Sequence, residues 1–404
     1  MPSASRRVWD TFVAALHLGL TSFGGPIAHI GYFRKKYVEQ LRWINDNQFA
    51  ELNALCQMLP GPSSSQLGIG IGMIRAGWLG GIAAWLGFTM PSACLLIAFA
   101  LGLGWLPDDM PGWLQGLKLV AVPIIFQALW GMSKQLTPDP ARVTIAIAAA
   151  AGALFVPGMY GQLAIILISL IVGVLLFRKH DDNGQQEIAA TPSQATEPDN
   201  HLHRTAALFL LAAFSGLFLV LPWLKTASFQ VITQLTDMMY RTGSLVFGGG
   251  HVVLPLLKEE LAHAGWLNES ILLAGYGAAQ AVPGPLFTFA AFIGASLAPG
   301  WLGIGYACIA TLFIFLPSYL LIGATLPYLD RLRQWRGVRA ALKGVNAAVV
   351  GLLLAALYNP VWITSVHGPV HFTIILIGTL LLITWKLPPW VVVLMCAILG
   401  GLML

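Results

Sequence analysis

The chain has 404 residues, of which 57% are hydrophobic and only 10% charged, against about 25% charged in an average soluble domain. Its formal net charge is +5 and its mean hydropathy +0.75. These values exclude a soluble enzyme, a disordered chain and a disulfide-built secreted scaffold, and point to an all-α polytopic membrane protein.

The basic N-terminus leads into an apolar run without a small-residue cleavage site, so it reads as a retained first helix and not a signal peptide. Apolar segments are predicted at 8–30, at an interrupted stretch 47–75, and at 77–106, 113–133, 143–156 and 160–177. Residues 178–204 are polar and aperiodic and read as a cytoplasmic linker. One helix, 205–224, follows alone, and six further segments lie at 227–257, 270–298, 301–326, 338–358, 370–385 and 389–404. Six, one and six make about thirteen spans.

The two sets of six match. Phe23-Gly24-Gly25-Pro26 aligns with Phe247-Gly248-Gly249-Gly250, and Gln57 to Pro62 (QMLPGP) with Gln280 to Pro285 (QAVPGP). Trp43 aligns with Trp266, Gly77-Trp78-Leu79-Gly80 with Gly300-Trp301-Leu302-Gly303, and Pro91-Ser92 with Pro317-Ser318. The offset stays at 223 to 226 and reaches 228 at Gly116 and Gly344. The predicted organisation is a first repeat 1–177, a linker 178–204, an extra helix 205–224 and a second repeat 225–404. An odd helix between two even sets inverts the second repeat relative to the first.

The charges fit a cytoplasmic N-terminus through Arg6, Arg7, Lys134, Arg142, Arg178, Lys179 and the cluster Arg331, Arg333, Arg336, Arg339 and Lys343, with Asp108 and Asp109 outside. Arg34, Lys35, Lys36 and Arg42 disagree; a re-entrant first segment accounts for them and changes the parity.

Lipid cannot hydrogen-bond an interrupted backbone, so Gly/Pro breaks inside apolar runs belong where protein or a water-filled cavity meets them. Pro26, Pro62 and Pro285 sit as first residues of new half-helices, and Gly250/His251 marks a fourth break. Each new half-helix aims free N–H groups and a positive dipole end into its break, an arrangement suited to anions. Four such termini, at about 0.3–1 kcal/mol each, together with hydrogen bonds to charge at about 1.5–3 kcal/mol, offset the cost of burying a small dianion.

The substrate-binding candidates are therefore Phe23, Gly24, Gly25, Pro26 and His29; Gln57, Pro60, Gly61, Pro62, Ser63, Ser64 and Ser65; Gly248, Gly249, Gly250 and His251; and Gln280, Pro283, Gly284, Pro285 and Thr288. The serines supply hydroxyls for capping or for a ligand, and Gln57 and Gln280 read as a buried pair needing partners. Lys118 lies inside an apolar segment, where a lysine serves function or snorkels to the interface. His17 and Arg241 each fall six residues before a break and, with Asn346 (the match of Lys118), are candidates for electrostatic coupling. Arg75 falls at headgroup level, and Glu51 and Asp237 near the outer ends of their segments, so no carboxylate is placed clearly at membrane depth. The four cysteines, Cys56, Cys94, Cys308 and Cys396, are isolated, and no nucleotide, zinc-protease or nucleophile-elbow motif occurs. No metal, cofactor or nucleic-acid partner is expected.

The stretches Phe23 to Phe33, Leu55 to Gly81 and Leu245 to Ala295 resemble the chromate ion transporter family, long-chain two-domain type, and the resemblance covers nearly the whole chain outside the linker. It implies secondary active export of chromate across the bacterial inner (plasma) membrane, giving chromate resistance, with sulfate as a similar tetrahedral dianion. A sulfate transporter and a passive anion channel are the alternatives. The expected partners are the oxyanion and the lipid bilayer, and a homodimer is left open.

Overall fold

The computed structural model describes residues 3–104, 111–156, 158–178, 204–227, 230–247, 250–328 and 336–404. Nearly all of the linker, Asp108, Asp109, Gly248, Gly249, Arg331 and Arg333 lie outside the described residues. Among the described residues all regular structure is helical.

The first half runs α1 (Ala4–Thr21), α2 (Gly25–Phe33) with a π-helical extension Arg34–Gln40, α3 (Asp46–Met58), α4 (Ser63–Leu103), α5 (Gly112–Leu119), α6 (Ala121–Leu136), α7 (Pro140–Phe155) and α8 (Met159–Phe177). Helix α9 (Arg204–Ala227) follows. The second half runs α10 (Val231–Leu245), a 3₁₀ turn Gly250–Val252, α11 (Val253–Ala264), α12 (Glu269–Ala279), a 3₁₀ turn Leu286–Thr288, α13 (Phe289–Ser296), α14 (Gly300–Thr325), α15 (Arg336–Ala356), α16 (Pro369–Thr379) and α17 (Pro389–Met403).

Local chemistry sets the boundaries. Asn45 and Gln48 form a capping box at the start of α3, and Asn268, 223 positions on, accepts from the Ser270 N–H at the start of α12, so orphan donors are met at both. Asp139 caps α7, and the Arg142 backbone N–H, with its guanidinium, holds that carboxyl below the usual carboxylate range. Positive φ occurs at Arg42, Gly61 and Gly77 and, 223 residues on, at Gly265, Gly284 and Gly300.

Gly77 makes α4 two helices rather than one. Its φ of 65° and ψ of −156° leave the helical region, and Gly72 packs against the Gly80 backbone, a separation of eight residues that spans about 12 Å in a straight helix. The chain therefore folds back, giving an arm 63–75 and an arm 78–103. The turn at Gly300 does the same between α13 and α14, where Gly294 meets Ala307.

One large apolar core joins α4–α6 to α10–α17, and a second gathers α1–α4 with Ile322 near the end of α14 and Leu326 just after it. The halves exchange helices. Helix α5 packs on α17, and α15 packs on α7 and α8. Glycine allows both approaches: a Cβ at Gly116 would strike the Cys396 carbonyl, and one at Gly344 the Ser169 carbonyl. The outer face is apolar, with Phe155, Leu175, Phe209, Leu219, Trp223 and Trp301 exposed. An apolar belt of that extent is the signature of a lipid-facing surface.

Among the described residues, five helical stretches (63–103, 112–136, 205–227, 300–328 and 337–365) are long and apolar enough to cross a membrane, and shorter apolar helices lie at 140–155, 161–177, 286–296, 369–384 and 389–403. The chain is a multi-pass helical membrane protein.

Candidate functional site

Helix α1 ends where the Ser22 N–H bonds the Leu18 carbonyl. Gly24 and Gly25, at φ 100° and 76°, turn the chain into α2, with Pro26 in its first turn. One turn further, His29 is buried, its Nδ1 lies 3.3 Å from the Ser64 hydroxyl, and its ring stands edge-on to Phe88. Ser64 belongs to the first turn of the 63–75 arm, which begins just after Pro62. In the second half, His251 Nδ1 lies 2.7 Å from the Tyr276 hydroxyl. Thr288 donates its hydroxyl to the Pro285 carbonyl at 2.7 Å.

The breaks are tied across the halves. The Gly61 N–H donates to the Val246 carbonyl at 2.6 Å, and the Gly284 N–H donates to the Ser22 carbonyl at 2.9 Å. Each Pro-Gly-Pro loop thus rests on the end of the other half's leading helix. Behind the loops, Gly61 sits against Ser318 and Gln66, and Gly284 against Ser92. Gln66 donates to the Pro60 carbonyl at 2.6 Å, which fixes the loop from within.

Three of the breaks meet at one cavity, lined by His29, Pro62, Ser64, Gly250, Pro285, Leu286 and Phe287; the first break reaches it through His29, one turn along α2. The cavity's empty volume is about 230 Å³ counted to its mouth, and its enclosed centre has room for about one water. Next to the lining residue Ser64, the buried Ser65 hydroxyl has no hydrogen-bond partner of good geometry. Among the described residues no cluster of His, Cys, Asp or Glu is placed to hold a metal ion.

The remaining expected residues fall in different places. Phe23 packs near Trp390 rather than in the cavity lining. Gln57 is exposed, because α3 turns Leu52, Leu55 and Cys56 inward and leaves Gln57 on the opposite face, so the expected buried glutamine pair is not formed. Lys118 is buried in α5 but does not line the cavity. His17 is exposed and Asn346 half-buried. Arg241 is paired with Asp237 at 2.8 Å.

That pair corrects the expectation that no carboxylate lies deep. Asp237 is 1% exposed, because Lys225 at the end of α9 and Arg241 on its own helix both reach it. Also missed were the apolar linings Leu286 and Phe287 and the framework residues Gln66, Ser92 and Ser318. Pro91-Ser92 and Pro317-Ser318 carried a signal, since the two pairs match between the halves.

A multi-pass helical protein whose broken helices meet tip to tip around a small cavity has the build of a membrane transporter. The sequence profile described as Chromate transporter matches residues 9–175 and again 233–401. The chain belongs to the chromate transporter family, a family of transporters rather than enzymes. It is 28% identical to a chromate transport protein of Pseudomonas aeruginosa over 391 residues, covering 93% of this chain and 87% of that one. It is 28% identical to a probable chromate transport protein of Synechococcus elongatus, covering 95% and 93%, and 26% identical to an uncharacterized transporter of Methanocaldococcus jannaschii, covering 98% and 94%. No solved structure matches the chain.

Proposed function

We propose that this protein is a secondary active transporter of chromate, or of a closely related tetrahedral oxyanion such as sulfate, acting as an exporter in the bacterial inner membrane. The observation that carries the reading is the convergence of three helix breaks and the start of α2 on one cavity whose polar side chains, His29 and Ser64, come with helix N-terminal N–H groups and without a carboxylate. Such a site offers donors and positive dipole ends, which favour an anion over a cation. The names of the relatives point to chromate.

The same reading takes the chain as two repeats, inverted about the extra helix, in about thirteen spans. Supporting it are the double profile match, the three pairs of positive-φ residues at an offset of 223, and the reciprocal bonds of Gly61 and Gly284. Two half-sites related in this way allow alternating access by rocking around a fixed centre. In this reading Lys118, buried without lining the cavity, adds positive charge to the field around the site.

Purified protein in proteoliposomes tests the function. Counterflow of labelled chromate against its gradient is expected; simple equilibration without counterflow identifies a channel, and counterflow of sulfate alone identifies a sulfate carrier. Pro62→Ala is expected to lower chromate counterflow while leaving membrane insertion intact.

A further inference from the structure

Helix α16 opens at one end of an apolar stretch, 369–384, and basic side chains gather there that the cavity does not use. Gly368 is its N-cap, in fully extended backbone; no side chain caps the helix, and Pro369 fills its first turn. The Phe372 N–H donates to the Gly368 carbonyl, so the N–H groups of Val370 and His371 have no carbonyl to reach within the helix. A Cβ on Gly368 would stand 3.9 Å from His371 Nδ1, and that buried nitrogen has no hydrogen-bond partner. The His367 ring lies edge-on to the His371 ring at 5.8 Å and is fixed by its Nε2, which donates to the Thr364 carbonyl at 2.9 Å.

Lys118 comes to the same place from α5. The Gln127 amide donates to the Leu382 carbonyl, 255 positions on, and Gly378 packs on Pro123 at the same offset. The stretch 112–136 and helix α16 therefore run side by side, in a register that sets His371 level with Gly116. Lys118 is about 3 Å further along, and a helical side chain leans back toward its own N-terminus, which brings the ammonium to the level of His371. Lys118 and His367 are the groups whose charge reaches His371. Lys118 is 6% exposed, and among the described residues it has no hydrogen bond or ion pair. Glu269, the carboxylate tied to Thr364, is taken by that hydroxyl at 2.7 Å and by Lys258 at 3.3 Å. An ammonium held out of water without a counter-charge is costly. Snorkelling accounts for a lysine, but not for an uncapped helix start and an unpartnered ring nitrogen beside it.

We propose that Lys118, His371 and the open N-terminus of α16 form a second anion site, separate from the cavity, for a tetrahedral oxyanion group. The site does not rest on the transport reading. Its donors are the Lys118 ammonium, the His371 ring nitrogen when it carries its proton, and the N–H groups of Val370 and His371, with the positive end of the helix dipole behind them. Two sources supply this chemistry. One is a free oxyanion such as sulfate. The other is the phosphate of a phospholipid, for whose chains Trp362, Val370 and Phe372 offer exposed apolar surface.

Two probes test the site on the full chain in detergent, with Ser64→Ala as the parent so that the cavity's own hold on an oxyanion is weakened. Sulfate is followed by isothermal titration, and phosphatidylglycerol by native mass spectrometry as retained lipid. Lys118→Met and His371→Phe should each weaken binding of one probe by about tenfold or more, the loss of a hydrogen bond to charge. Loss of sulfate identifies a free oxyanion, and loss of phosphatidylglycerol a lipid headgroup. Lys118→Met should fold at least as well as the parent, since it replaces an unpaired buried charge by an apolar side chain. Gly368→Asp keeps both basic groups and has room for its side chain. Its carboxylate caps α16 and takes the anion's place, so it should raise the Tm of the anion-free protein and exclude the probe. Retention of both probes within about twofold of the parent by Lys118→Met or by Gly368→Asp, or binding of neither probe by the parent, overturns the proposal.

Discussion

The two halves meet the same cavity with different means. The first half brings side chains: the His29 ring nitrogen and the Ser64 hydroxyl lie 3.3 Å apart at the lining, and neighbouring Ser65 keeps an unpaired hydroxyl. The second half brings backbone and apolar surface at Gly250 and residues 285–287, while its polar groups are engaged within the protein, His251 with Tyr276 and Thr288 with Pro285. The loop geometry nevertheless matches, with φ of 117° at Gly61 and 104° at Gly284. Matched backbone frames thus need not carry matched chemistry: one side presents polar side chains to the cavity and the other backbone and apolar surface.

The frame should be the most sensitive part. Gly61→Val and Gly284→Val each force a side chain into a left-handed conformation costing about 1–3 kcal/mol and push it into Ser318 or Ser92. Both should abolish counterflow and sharply reduce the monodisperse protein recovered by size exclusion. If only Gly61→Val does so, the reciprocity of the two loops is broken.

Next come the polar side chains of the lining. Ser64→Ala and His29→Phe should weaken oxyanion affinity by about 10- to 100-fold, the equivalent of a hydrogen bond to charge at about 1.5–3 kcal/mol. Isothermal titration with chromate and sulfate measures this, and unchanged affinity in both would move the site away from the first half. Lys118→Ala, outside the lining, should reduce transport by about tenfold or less, as expected for one nearby charge, with insertion intact.

The second half should be tolerant. His251→Phe loses the contact with Tyr276, a change of about 0.5–1.5 kcal/mol, and is expected to slow counterflow a few-fold. Thr288→Val, whose hydroxyl is already used internally, should stay within about twofold of wild type. An effect as large as that of Ser64→Ala would place the gripping contacts on both sides.

The breaks were legible because Gly and Pro announce irregular backbone directly, and an apolar context makes them conspicuous. The fold-back at Gly77 was less visible, since its flanking segments, 47–75 and 77–106, abut without a polar loop. Gln57 was misjudged because composition gives depth along a helix but not which face turns inward. Asp237 was missed for a different reason. Its burial depends on Lys225, which belongs to a separate helix and is brought alongside only by the fold. Sequence spacing measured distance from the segment end and could not register a partner arriving from outside the segment.

The exchanged helices carry a last consequence. Because α5 rests on α17 and α15 rests on α7 and α8, neither half owns all the surfaces it needs. During synthesis the N-terminal portion waits in the bilayer with its glycine seams at Gly116 and Gly173 unfilled until the C-terminal portion is inserted. A gene severed between 178 and 204 should therefore yield two fragments that are degraded when made singly and that rescue each other when made together.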